Sequence, residues 1–165
     1  MLVVLEGMNQ LIIFSAKYLF VVSFVVVGIY WLRLDAADKK RLAVQGVLGG
    51  ILALALAKLG GHFINDPRPF VVGHFMPLIS HANDNGFPSD HTLITSFLAF
   101  AVWPLSRRLS LGLVAIALAV GSARVAAGIH HPLDILGSFV ISAVSVLIAN
   151  EIWTRWLGKS KNSLE

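Results

Sequence analysis

Five apolar stretches separated by polar connections organise this sequence. The first runs from about Leu11 to Leu32 and is interrupted by Lys17; the second runs from Leu42 to Ile64, rich in Ala, Gly and Leu, with Lys58 inside it. The third covers His91 to Leu105, the fourth Leu109 to about Val125, and the fifth Leu133 to Trp153. A helix needs about 20 apolar residues to cross the hydrocarbon core of a bilayer, so each stretch is read as a transmembrane helix. The third is short for that purpose, and its helix is expected to begin near Pro88. The first is too long for a signal-peptide core, and no small-residue cleavage site follows it. Residues 1–10 are expected to form a short interfacial helix, with Leu2, Val3, Val4 and Leu5 opposing Glu6, Asn9 and Gln10. Between Asn65 and Asp90, prolines, histidines, glycines and Asn/Asp residues replace the apolar pattern, which predicts a loop with at most short helical pieces. A second, smaller polar turn holds Gly128, His130, His131 and Pro132.

Charge placement gives this arrangement a direction. Lys and Arg cluster in the Arg33–Arg41 linker, at Arg107 and Arg108, and at Arg155, Lys159 and Lys161. Five spans put these segments on one side, expected to be the cytoplasm because cytoplasmic loops carry the excess of basic residues. The Asn65–Asp90 loop and the Gly128–Pro132 turn then share the opposite face with the N-terminus. Trp31, Trp103, Trp153 and Trp156 fall at the expected cytoplasmic helix ends, as an aromatic belt requires.

Composition mainly excludes. Only 13% of the residues are charged and the mean hydropathy is +0.77, whereas a soluble domain carries about a quarter charged residues. The absence of cysteine removes disulfides, thiolate nucleophiles and Cys-ligated metals. The net charge of +4 sits in short clusters between apolar runs, which reads as membrane topology and not as a nucleic-acid footprint. No H-E-x-x-H or comparable spacing suggests a metal site. The expectation is a single membrane-embedded all-α domain over residues 1–165, a bundle of about five transmembrane helices.

The two non-cytoplasmic segments hold nearly all the reactive side chains: Arg68, Ser89, Asp90, His91, Arg124, His130, His131 and Asp134. Guanidinium forks match phosphate oxygens in pairs, and imidazole serves as nucleophile, acid or base near neutral pH. Pro88 or Ser89 is expected to open one helix and Pro132 another, and a helix N-terminus is an anion site. Asp134 in a first helical turn can reach back to His130, fix its tautomer and stabilise charge on the ring. His131, His62, His74, His81 and Asp84 are read as cap, loop or interfacial residues, the last four also as candidates to line an entrance for pyrophosphate.

Three segments in order resemble the motifs of the PAP2 (type 2 phosphatidic acid phosphatase) superfamily, K-x6-R-P, P-S-G-H and S-R-x5-H-x3-D. They are Pro67-Arg68-Pro69-Phe70, then Phe87-Pro88-Ser89-Asp90-His91-Thr92, then Ser122-Ala123-Arg124 with His130 and Asp134. Asp90 in place of the second motif's glycine resembles the branch of bacterial undecaprenyl-pyrophosphate phosphatases. The resemblance implies a PAP2/chloroperoxidase-like helical bundle in the bacterial inner membrane, with its site facing the periplasm or cell exterior. It implies that undecaprenyl pyrophosphate is hydrolysed to the monophosphate and inorganic phosphate without cofactor or metal, recycling the cell-wall lipid carrier and giving bacitracin tolerance. His130 would attack phosphorus and form a phosphohistidine, Asp134 would orient it, and His91 would protonate the leaving group. Arg68, Arg124 and Ser89 would hold the phosphoryl oxygens.

The first motif's lysine should stand at position 61, which is Gly61. Lys58, one helical turn earlier, is the candidate replacement as a phosphate contact, with His62 or no residue at all as alternatives. The motif's serine is Ala123, with Ser122 one place earlier. Two other readings stay open: the same fold acting on phosphatidylglycerol phosphate, phosphatidate or a lipid A phosphate, and a non-catalytic lipid-binding or transport protein.

Overall fold

The structure, a computed structural model, describes residues 2–157; Lys159 and Lys161 of the basic tail lie outside the described residues, as do the side chains of Leu2, Val3 and Val4. The described chain is nearly all helical: α1 (Leu2–Arg33), α2 (Ala36–Phe63), α3 (Pro69–Val72), α4 (Asp90–Val102), α5 (Arg107–Ala126) and α6 (Pro132–Ile152), closed by a π-helical turn at Trp153–Leu157. Local chemistry sets most of these boundaries. The Asp35 carboxylate accepts the Asp38 N–H at 2.8 Å to start α2, and the Ser106 hydroxyl accepts from Leu109 N at 3.3 Å to start α5. Both satisfy amide groups that a helix start leaves free. Gly128, with φ of +76°, turns the chain after α5 in a conformation that glycine adopts without steric cost.

The all-α membrane architecture expected from the sequence is present, with two changes. Helices α1, α2, α5 and α6 are long and apolar enough to cross a membrane, whereas α4 has only 13 residues. Its length is about 20 Å, against about 30 Å of hydrocarbon core. It ends at Val102, where Trp103 N turns to the Phe100 carbonyl at 3.1 Å and Pro104 has no N–H to carry the helical ladder further. This central helix packs against α1, α2, α5 and α6. The second change is at the N-terminus, where no separate interfacial helix exists. Residues 2–10 are the first turns of the 32-residue α1, and Gly7, the one poor helix former there, does not interrupt it.

Polar contacts as well as apolar ones hold α4 in place. Leu42, Ala99, Ala101, Val102, Leu113 and Val146 form a core towards the basic end of the bundle. Higher up, Ser138 Oγ donates to the carbonyl of Ser89 at 2.9 Å, Ser142 Oγ donates to that of Leu93 at 2.9 Å, and Ser142 and Ser96 hydroxyls lie 2.8 Å apart. Buried hydroxyls inside a membrane bundle have no water to turn to, so these pairings fix α4 and α6 in one register. The Phe87 ring is inserted between α2 and α6. A Cβ on Gly60 would lie 3.0 Å from it, and one on Gly137 only 2.1 Å.

Candidate active site

The loop after α2 and the turn before α6 meet at one end of the bundle, and Asn85 ties the loop to the end of α2. Its amide nitrogen donates to the carbonyls of Gly61 and Ile64, both at 2.8 Å. Its Oδ1 accepts from Asp66 N at 3.0 Å and Phe87 N at 3.1 Å. With Gly86 N bonded to Asp66 O at 2.8 Å, the segment carrying Arg68 and the segment leading to Ser89 become one unit.

Two guanidiniums then converge on one imidazole. Arg68 and Arg124 are each only 5% exposed and His130 only 2%, so all three are removed from bulk water. Arg68 Nη1 lies 3.3 Å from His130 Nε2 and also donates to the Ile129 carbonyl at 2.9 Å. Arg124 Nη2 lies 3.2 Å from the same Nε2, while its Nη1 donates to the Ala16 carbonyl of α1 at 3.1 Å. Guanidinium nitrogens only donate, so Nε2 must present its lone pair and Nδ1 must carry the proton. Nδ1 faces Asp134 Oδ2 at 3.0 Å, which accepts that proton and also takes the His131 N–H at 2.9 Å. Burial lowers the pKa of His130, and the charges of Arg124 and Arg68 push the same way against the hydrogen bond to Asp134. The ring is therefore neutral, with its Nε2 lone pair directed at the two guanidiniums, the form an imidazole nucleophile requires.

The remaining motif residues line the same region. Ser89 is fully buried at the start of α4, and its Oγ accepts from Thr92 Oγ1 at 3.1 Å. His91 is half-buried, edge-on to Phe20 of α1 at 4.6 Å between ring centres, and within electrostatic range of Arg124 and His130. Asp90, next to it, is exposed.

Lys58 is not brought to this group. It lies exposed on α2 with no hydrogen bond or ion pair among the described residues. At about 100° per residue it points roughly 160° away from the Gly60 direction, the face that packs on Phe87. The alternative His62 is also exposed, against Phe63. At position 61 a Cβ would lie 3.0 Å from the Phe87 carbonyl, so any side chain there presses on that backbone. Ser122 is exposed while Ala123 is buried, so the neighbouring serine does not take the motif serine's place.

Several further side chains from the loops take part in the site. Asp84, read as a loop residue, accepts from Arg68 Nε at 2.6 Å, and that hydrogen bond holds its carboxyl below the usual range. His131 Nδ1 lies 3.0 Å from Asp66 Oδ1. Burial, together with the neighbouring Asp134 carboxylate, raises the Asp66 pKa. Asp66, His131 and Asp134 form a group whose ligand-type atoms lie within 4.8 Å of one another, the composition that could hold a cation. Asp134 Oδ2 is already engaged by His130 and His131. The composition of the 83–86 turn reads Asp84 as a loop or entrance residue and gives Asn85 no role, because their partners lie far off in sequence.

Comparison with known proteins gives the family and the fold. Residues 42–157 match the PAP2 superfamily. The bacitracin transport permease protein BcrC of Bacillus licheniformis is 30% identical over 148 residues, 89% of this chain and 71% of that protein. Undecaprenyl-diphosphatase BcrC of Bacillus subtilis strain 168 is 33% identical over 139 residues, covering 83% of this chain and 70% of the relative. The crystal structure of Aquifex aeolicus LpxE shares the fold with a TM-score of 0.67 at 20% identity, over 90% of this chain and 86% of that one.

Proposed function

This chain belongs to the PAP2 superfamily, and on that basis we propose that it is a bacterial membrane phosphatase hydrolysing undecaprenyl pyrophosphate to undecaprenyl phosphate and inorganic phosphate. One observation carries the reading: two buried guanidiniums reach the same Nε2 whose ring is held through Nδ1 by a buried carboxylate. A terminal phosphoryl group brought to Nε2 meets its charge partners already in position, and preorganised donors are what stabilise charge developing at phosphorus.

The chemistry proceeds in two balanced steps. In the first, the Nε2 lone pair of His130 forms a bond to the terminal phosphorus. The bond from that phosphorus to the bridging oxygen breaks, and the electron pair leaves with the lipid monophosphate, which takes a proton from His91. In the second, His91 accepts a proton from water as the water oxygen attacks the phosphohistidine. The P–N bond breaks, inorganic phosphate departs, and His130 regains its lone pair. Asp134 supports the positive charge on the ring in between. Arg68, Arg124 and Ser89, with the amides at the start of α4, hold the phosphoryl oxygens.

The reading places the site on the periplasmic or outer face. Arg33, Lys39, Lys40, Arg41, Arg107, Arg108 and Arg155 are all at the opposite helix ends, as the bias of basic residues to the cytoplasm requires. The relative named as a transport permease raises a transport role, but transport asks for charged groups along a path through the membrane. Here Arg68, His91, Arg124, His130 and Asp134 gather at one end. Phosphate release from undecaprenyl pyrophosphate in detergent with a metal chelator present, alongside His130→Ala, tests the proposal. Turnover lost in a folded His130→Ala protein supports it, and undiminished release sinks it. Preferential turnover of phosphatidate, phosphatidylglycerol phosphate or a lipid A phosphate would retain the chemistry and reassign the substrate.

A further inference from the structure

We infer that His81 forms a second phosphate subsite, beside the one at His130, which receives the lipid-side phosphate of a diphosphate and makes the enzyme select diphosphates over monophosphates. The inference rests on the hydrolytic reading above and adds a residue outside the three motifs. The His81 ring lies 6.3 Å from the His130 ring, nearly perpendicular to it at 75°. Its side chain is 27% exposed, so it is open to a ligand but shielded on most sides. Its Nδ1 is buried without a hydrogen-bond partner; the nearest carboxylate oxygen, Asp84 Oδ1, is 3.8 Å away and already receives Arg68 Nε. A buried imidazole nitrogen without a partner is costly, and a phosphate oxygen would satisfy it.

The loop holds His81 in place. Leu78 N donates to the Ala127 carbonyl at 3.0 Å. Ile79 is buried against Ala16, Ala123, Ala127 and Ile129, between α1 and the catalytic turn. His81 follows two residues later, within electrostatic range of Arg68, Arg124 and His91. These charged and polar side chains are near neighbours of His81 and His130. A phosphoryl group at Nε2 of His130 uses Arg68 and Arg124; a diphosphate brings a second phosphate between that group and the lipid, with oxygens that need donors of their own. His91 is committed to the bridging oxygen. That leaves His81 as the donor for the second phosphate. Burial and the Arg68 charge keep its ring neutral, with one N–H to give.

The test compares wild type, His81→Gln and His81→Ala, as full chains in detergent, on a polyprenyl pyrophosphate and on the matching polyprenyl monophosphate. The ratio of kcat/KM for diphosphate to that for monophosphate is expected to fall about tenfold, the loss of one charge-assisted hydrogen bond. Binding provides an arm that needs no turnover. In a His130→Ala background with an unchanged thermal midpoint, His81→Ala should weaken inorganic pyrophosphate about tenfold more than orthophosphate in calorimetry. Equal proportional losses for both substrates and both anions would make His81 merely structural, and no loss for the diphosphate would remove it from the site; either overturns the inference. If wild type releases no phosphate from the diphosphate lipid, the functional proposal fails, and the calorimetry still decides the subsite.

Discussion

Nδ1 of His130 lies 3.0 Å from Oδ2 of Asp134, across the start of α6, with Asp134 fully buried. In the proposed mechanism this pair determines which nitrogen of the ring attacks. An asparagine at 134 can present its N–H to the ring and favour the opposite tautomer, with the proton on Nε2. Asp134→Asn should therefore keep the fold and lose turnover by a factor on the order of 10^4, the scale seen for the equivalent aspartate of a serine-protease triad. Phosphate release and a thermal melt on the same preparation check this; a loss below tenfold would contradict the assignment.

Arg68 and Arg124 each divide their donors between the protein and His130. Lysine cannot reproduce a fork that serves two partners. Arg68→Lys and Arg124→Lys should each lower kcat/KM by about 10²-fold or more, the loss typical of one preorganised donor. Arg124→Lys should also lower the thermal midpoint, because the bond to Ala16 O that ties α5 to α1 is lost.

The acid side of the pH profile should reflect His130. Its ordinary value is 6.5, and burial pushes it lower. As pH falls through that lowered value, Nε2 takes up a proton and loses the lone pair that attacks. In the proposed mechanism His130 therefore stays competent as nucleophile below the ordinary histidine value of 6.5. The acid limb of kcat/KM against pH should have its midpoint below that of free histidine; a midpoint above it would contradict a neutral, buried nucleophile.

Gly137 and Gly61 test how closely the Phe87 segment is fitted. A Cβ at 137 would enter the Phe87 ring and one at 61 would press on the Phe87 carbonyl. Gly137→Ala should cost about 1–3 kcal/mol, as overpacking does, and depress kcat by shifting Ser89. Gly61→Lys, which restores the family's lysine, should reduce activity, measured as kcat at saturating lipid.

Lys58 offers the converse test. Its side chain is exposed on the far face of α2, so Lys58→Leu should leave kcat/KM within about twofold. A tenfold drop would return it to the site.

The parts legible in the sequence and the parts hidden from it differ in kind. Long apolar runs gave α1, α2, α5 and α6, because burial in lipid leaves a signal in every residue of a span. The Arg124, His130 and Asp134 spacing was legible because all three lie within about one turn of a helix end. Asn85 was not, since its hydrogen bonds reach back to Gly61 and Ile64 and nothing local distinguishes a clip from a turn. Lys58 sits near the site along the helix but faces away from it around the axis, and spacing alone does not report direction. The run from His91 to Leu105 overstated α4, since an apolar count does not register that Pro104 stops a helix two residues earlier.

Helix α1 lies outside the 42–157 match to the family, and only 11% of its apolar window is buried within the protein, against 39% for α5 and α6. Yet it gives Arg124 the Ala16 carbonyl and sets Phe20 against His91. The reaction chamber is thus walled on one side by the segment that depends most on surrounding lipid to stay where it is. Detergents that loosen α1 should silence the enzyme while its helical content is still intact, so the solubilising medium becomes part of the catalyst.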